Sequence, residues 1–173
     1  LDCNGDAMKV FVGLDPGMTG GLAAVDSGGK LLSVIAMPRV NGSTGPQDYH
    51  AIKEWFAEMK KLGKVEAALE RISVRPGEGV KSTLTAGTNW GFLKGMLVAI
   101  NARYVEPTPQ AWKKLLALPK RSGKERKKGK EDAVVLATQL FPGIDLTPGR
   151  KRVPHDGMAD AVLIAEYARR TLG

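Results

Sequence analysis

Cysteine is almost missing from this chain. Cys3 stands alone in the polar stretch before Met8, so no disulfide can form within the chain and the fold must close on its own core. A reducing, cytoplasmic setting is the expectation. Long apolar runs are missing too: none nears the roughly 18 residues that cross a bilayer, and residues 10–14 are too few for a secretory signal. With two His and one Cys, no zinc cluster of the His/Cys type can be assembled. Acids are the scarcer charge, 18 against 26 Lys and Arg, and the resulting net charge of +8 favours a phosphate-rich partner over an acidic one. No repeat or domain-sized linker interrupts the 173 residues. The expectation is one domain over residues 8–173, behind a disordered leader at residues 1–7.

What is present begins with strands. Residues 9–15, 22–26 and 31–37 read as a three-strand meander, joined by a PGMTGG turn and a Ser27-Gly28-Gly29 turn. From Pro46 the pattern turns helical, with Tyr49, Ile52, Trp55, Phe56 and Met59 recurring at threes and fours until Gly63. Residues 65–70 form a fourth strand. Residues 71–85, rich in Gly, Ser, Thr and Pro, read as a mobile loop. Helical spacing returns at residues 88–100, where Gly87, Gly91 and Gly95 leave a smooth stripe suited to a partner helix in a two-fold dimer. A short strand at 102–105 and helices near 110–118, 130–141 and 157–170 complete the chain, with the three Trp treated as core or interface. That order is the order of a ribonuclease H-like α/β fold: a mixed five-stranded sheet flanked by helices, with the first and fourth strands side by side.

The acids then fall in telling places. Asp15 ends the first strand where the chain leaves the sheet for a Gly-rich turn, which is where α/β sheets place ligands, although Asp also commonly caps such turns. Glu70 closes the apolar run of the fourth strand; Glu66 shares its side but sits at the wrong end to meet Asp15. Asp156 and Asp160, four apart at the start of an apolar helix, share a face. The helix dipole alone favours acids at that end. Gathering four carboxylates without cations is costly, however, and Mg2+, which takes oxygen ligands, answers that cost. Two such ions per site, with Mn2+ as a substitute, suit phosphodiester hydrolysis. His155, directly before Asp156, is a candidate ligand or proton shuttle set against the commoner structural role of a lone His.

Basic residues offer a surface for a phosphate-rich partner. The segment 119–130, PKRSGKERKKGK, holds Lys120, Arg121, Lys124, Arg126, Lys127, Lys128 and Lys130 with one acid and no apolar periodicity, so it reads as a loose, phosphate-contacting stretch before a helix start. Arg150, Lys151 and Arg152 form a second cluster next to the terminal acids. Arg71, Arg75 and Lys81 lie in the loop after Glu70, which has no aromatic residue for stacking.

The segments VGLDPGMTGGLAAVD, ALERIS and HDGMADAVLIAEYARR resemble the RuvC-type Holliday junction resolvases, and are most similar to their phage and chloroplast relatives. The resemblance runs from Met8 to the end of the chain. It implies a homodimer that nicks two strands of a four-way DNA junction symmetrically, with Mg2+ held by Asp15, Glu70, Asp156 and Asp160. It also implies that Lys130 in GKEDAVVLATQLFP faces the scissile strand as a catalytic residue. Bacterial members space the last two acids by three residues rather than four, which leaves Asp160 the firmer match. Three alternatives stay open: another ribonuclease H-like nuclease acting on RNA/DNA hybrids or other branched DNA, a junction-binding module that does not cut, and an actin-like kinase. The last needs two lobes, and this chain supplies one.

Overall fold

The structure is a computed structural model that describes residues 8–42, 45–73, 79–121, 125–149 and 152–173, with Arg126 described in backbone only. The elements run β1 (Lys9–Asp15), β2 (Gly21–Asp26), β3 (Leu31–Ala36), α1 (Tyr49–Leu62), β4 (Lys64–Leu69), α2 (Val80–Ala99), β5 (Arg103–Val105), α3 (Pro109–Leu115), α4 (Arg126–Leu140) and α5 (Asp156–Leu172). They build one five-stranded sheet in the order β3-β2-β1-β4-β5. β1 pairs antiparallel with β2 and β2 with β3, whereas β1 pairs parallel with β4 and β4 with β5. This is the mixed ribonuclease H-like sheet expected from the element order, and it sets the first and fourth strands side by side.

Period-two alternation divides the residues of β1 between two cores. Val10, Val12 and Leu14 face α1 and α2, where they meet Ile52, Phe56, Leu93 and Leu97. Phe11 faces the other way, toward α3, α4 and α5, with Trp112, Ala133, Ala161 and Ile164. Ala68 of β4 joins that second core while Val65, Ala67 and Leu69 join the first. The same alternation puts Gly13, Asp15 and Glu70 on the α5 side. Burial of each of the large apolar side chains contributes roughly 1.5–3 kcal/mol.

Two glycines let α5 lie directly on the sheet. A Cβ on Gly13 would stand 2.1 Å from the Ala161 carbonyl oxygen, and one on Gly157 would stand 2.0 Å from that of Thr19. Any larger residue at either position would push the helix off, and with it the acids of its first turns. α1 starts on Asp48, whose carboxylate accepts the Ala51 N–H at 3.0 Å, and closes with Lys60 and Lys61 against its C-terminal dipole.

Two stretches expected to be loose are helical. α2 begins at Val80, so only residues 71–73 and 79 of the expected 71–85 loop are non-helical among the described residues, and Lys81 sits in the first turn of α2. Residues 80–85 contribute nothing fully buried, so no apolar period announces the helix there. The Thr85 and Thr88 hydroxyls fit the helix by donating to the Lys81 and Leu84 carbonyls, each at 2.9 Å. α4 likewise begins at Arg126 rather than near residue 130, which makes Lys127 and Lys128 helical. Its start is tied by Arg121, whose Nε donates to Asp132 at 3.0 Å. No helix among the described residues is long and apolar enough to cross a membrane.

Candidate active site

Parallel pairing of β1 with β4 aligns Leu14 with Leu69, and the Glu70 N–H donates to the Leu14 carbonyl at 2.9 Å, so Asp15 and Glu70 leave the sheet as neighbours. Both then face α5, whose N-terminus is seated on the turn after β1 by Gly157. Asp156 opens that helix and Asp160 follows one turn later. All four carboxylates are half-buried. Their charges act on one another: burial and then the charge of Glu70, with a smaller push from Asp156, raise Asp15 to about 7 against the pull of the Gly17 N–H, which it accepts at 3.0 Å. Burial also raises Asp160 to about 7, with Asp15 and Asp156 adding to the rise. Glu70 is raised by burial and by Asp160, opposed by a hydrogen bond from Trp112.

Asp156 differs. Burial would raise it, but the hydrogen bond and charge of Lys130 hold it below the ordinary carboxylate range. Lys130 projects from α4 onto Asp156 while remaining 64% exposed, so the cation that meets the acid also meets solvent. Lys130 is raised in turn by the same contact.

Two contributors went unread in the sequence. Trp112 of α3 is fully buried, as a core residue would be, yet its Nε1–H donates to the Glu70 carboxylate at 2.8 Å and fixes it in place. Beside it Lys113, with Nζ 4.9 Å from the Trp112 ring centre, lowers the proton affinity of Asp15, Glu70 and Asp160 alike. α3 carries this pair because Thr108 caps it, accepting the Ala111 N–H at 3.2 Å, and Pro109 sits where the missing N–H costs nothing. The only signal in the sequence was TPQAWKK itself, a capped short helix with a Trp-Lys pair.

His155 is the N-cap of α5, its Nδ1 accepting the Met158 N–H at 3.2 Å. That gives the residue a helix-capping role at the edge of the acidic cluster.

Of the basic residues, Arg71, Lys81, Lys120, Lys127, Lys128 and Arg152 are exposed. Arg121 is engaged with Asp132 and, at 3.8 Å, with Glu125. Arg75, Lys124, Arg150 and Lys151 lie outside the described residues, as does the side chain of Arg126.

The donor set can be tested against a divalent cation. Among the described residues no three His, Cys, Asp or Glu side chains stand as a ready-made cage. The chemistry nevertheless fits: four oxygen donors, two of them raised to about 7 by burial and mutual repulsion, carry a surplus of negative charge that a hard cation relieves. Lys130 and Trp112 already engage two members of the set.

No protein family matches the chain, and no curated protein does. Solved structures do. The chain is similar to Thermus thermophilus RuvC in complex with a Holliday junction substrate, with a TM-score of 0.62 and 18% identity over 94% of this chain and 96% of that one. It is also similar to a second Thermus thermophilus RuvC structure, with a TM-score of 0.57 and 19% identity over 93% of this chain and 96% of that one. At such low identity the likeness speaks for architecture, and the architecture of this chain is the ribonuclease H-like fold of RuvC.

Proposed function

We propose that this chain is a structure-selective endonuclease that resolves four-way DNA junctions by metal-dependent phosphodiester hydrolysis. The observation that carries the reading is the placement of Asp15 and Glu70 at the adjoining ends of β1 and β4, facing the start of α5 that bears Asp156 and Asp160. Support comes from the shared fold with a RuvC whose structure holds a Holliday junction.

In this reading the four carboxylates hold Mg2+, with Mn2+ as a substitute, two ions to a site. When bound, the metal supplies activation of water and stabilisation of the leaving oxygen. Trp112 orients Glu70 by its 2.8 Å hydrogen bond, so one ligand is set before substrate arrives. Lys130 and Lys113 bring positive charge to the acids. Lys130, mostly exposed at the edge of Asp156, is placed to exchange that carboxylate for a backbone phosphate oxygen. Exposed Lys127 and Lys128, one turn earlier on α4, extend the phosphate-facing charge away from the site, where they set affinity rather than sequence.

A second copy completes the assembly. Val80, Leu84 and Val98 of α2 are 85%, 69% and 64% exposed. A Cβ added to Gly87, Gly91 or Gly95 would meet nothing within 4 Å. The open face of α2 therefore suits close approach of a partner helix, and a two-fold pair would offer one site to each of two strands.

The test is cleavage of a labelled synthetic four-way junction beside matched linear duplex and RNA/DNA hybrid, with magnesium and with chelator. Paired, symmetric nicks in the junction alone, and only with metal, are expected. Binding without cutting in magnesium and manganese would leave a junction-binding module; cutting of the hybrid instead would keep the nuclease and change its substrate.

A further inference from the structure

Outside α2, Val153 is the most exposed large apolar side chain among the described residues, at 75%. A single exposed valine needs no explanation. This one has company: Pro154 on one side is exposed as well, and Arg152 on the other is an exposed cation. The pair makes an apolar tip on a basic surface, three residues before Asp156.

The tip is stiffly held. Past α4 the chain makes a turn in which the Asp145 carboxylate accepts the Thr147 N–H at 2.8 Å and the Thr147 hydroxyl at 2.5 Å. Leu146 within that turn is buried, and its carbonyl accepts the His155 N–H at 2.7 Å, so the chain comes back to the point it left. His155 then caps α5. Pro154 fixes its own φ and confines Val153 to extended backbone. Little conformational freedom is left for a partner to freeze out.

The tip is also close to the acids. Three residues of chain span at most about 10 Å, so the Cα of Val153 lies within that reach of the Cα of Asp156. Lys130 meets Asp156 at its solvent-facing edge, where the nuclease reading brings a backbone phosphate. Along a duplex axis about 10 Å is about three base-pair steps. Val153 and Pro154 therefore reach the stack of bases that carries that phosphate.

We propose that Val153 and Pro154 form an apolar wedge that packs on the open face of a base pair beside a branch point, and so tells branched DNA from linear. The inference rests on the nuclease reading above. A linear duplex has no open face, so the wedge must separate two stacked pairs before it can seat. A branch interrupts the stack beforehand and spares that cost. The contact is to the face of a pair and not to its hydrogen-bonding edge, so it reads shape and leaves base identity unread. Arg152 beside it contributes a phosphate contact that branched and linear DNA offer alike.

The experiment measures binding of a synthetic four-way junction and of a matched linear duplex in chelator, across a salt series, with 2-aminopurine at the pairs flanking the branch. Wild type is expected to favour the junction and to raise the 2-aminopurine fluorescence at one flanking pair, because an aliphatic neighbour replaces a stacked base. Val153→Ser should lower the junction-to-duplex affinity ratio by about ten-fold and remove the rise, while the salt slope stays as it was. Pro154→Ala, which loosens the tip, should lower the ratio by a smaller factor. Arg152→Gln should do the opposite, reducing the salt slope by about one and leaving the ratio alone. A wild type that binds both DNAs alike, or a ratio unchanged in folded Val153→Ser and Pro154→Ala, overturns the wedge. A 2-aminopurine signal that never responds to wild type does the same. If the preference depends on Val153 but nothing is cut in magnesium, it is the nuclease reading that fails, and the wedge stands.

Discussion

Asp160 and Glu166 stand six residues apart on α5, the first half-buried and the second buried, and end in opposite electrostatic states. Glu166 accepts from Arg169 Nε at 2.7 Å and Nη2 at 2.9 Å and from Arg170 Nε at 2.6 Å. Burial would raise it, but the two guanidiniums hold it below the ordinary range. Burial raises Asp160 too, and the pull of Lys113 does not offset it together with the push of Asp15 and Asp156, so it stands near 7. One end of the helix gives its carboxylate more counter-charge than it needs; the other gives too little. A buried acid with its own cations anchors structure, whereas one crowded by other acids is poised for a ligand or a proton.

The comparison breaks most sharply on activity. Asp160→Asn is expected to lower cutting of a four-way junction by about a thousand-fold or more, as loss of a key electrostatic group does in a preorganised site, while junction binding stays within a few-fold of wild type. Single-turnover cleavage and a binding titration check the two halves. Glu166→Gln should do the reverse. It leaves cutting per folded molecule near wild type but removes the charge shared by two partly exposed arginines, costing about 2 kcal/mol of stability after allowance for solvent screening. For a chain of this size that is roughly 4–8 °C in melting temperature, measured by calorimetry. Undiminished cutting by Asp160→Asn, or loss of cutting by a folded Glu166→Gln, would erase the distinction between the two ends of α5.

The sequence carried this contrast unevenly. Asp15, Glu70 and the pair on α5 were legible because strand alternation and helical spacing fix which face a side chain takes, and the sheet then needs only the β1–β4 pairing to bring them together. Lys113 and Trp112 were not legible as site residues. A Trp in a short apolar segment reads as core, and Trp112 is core; that its one polar atom reaches Glu70 depends on how α3 packs beneath α5, which no local period encodes. The starts of α2 and α4 were hidden for a related reason. Val80 to Thr85 and Arg126 to Lys130 are exposed or half-buried where described, so the apolar signal that marks a helix is missing there, and each helix is set by the buried residues further along it.

The smallest expected effect is also the most specific to the comparison. Asp15 and Asp160 stand near 7 in the folded chain against an ordinary value of 3.8. Between about pH 4 and 7 the unfolded chain has therefore already released protons that the folded chain still holds. The unfolded state binds fewer protons across that window, so stability falls as pH rises through it and levels off above 7. Glu166 runs the other way: its lowered value contributes stability that is present above about 4.5 and lost as pH falls. Urea melts of metal-free protein at pH 5 and pH 8 should show wild type losing about 1 kcal/mol more than Asp160→Asn across that interval, the full shift discounted for the solvent screening of a half-buried group, because the variant has no proton to give up at that position. Magnesium held by the same carboxylates competes with those protons and should narrow the gap. An equal loss in wild type and variant would mean that Asp160 is as well supplied with counter-charge as Glu166, and that the acids at the head of α5 are structural after all.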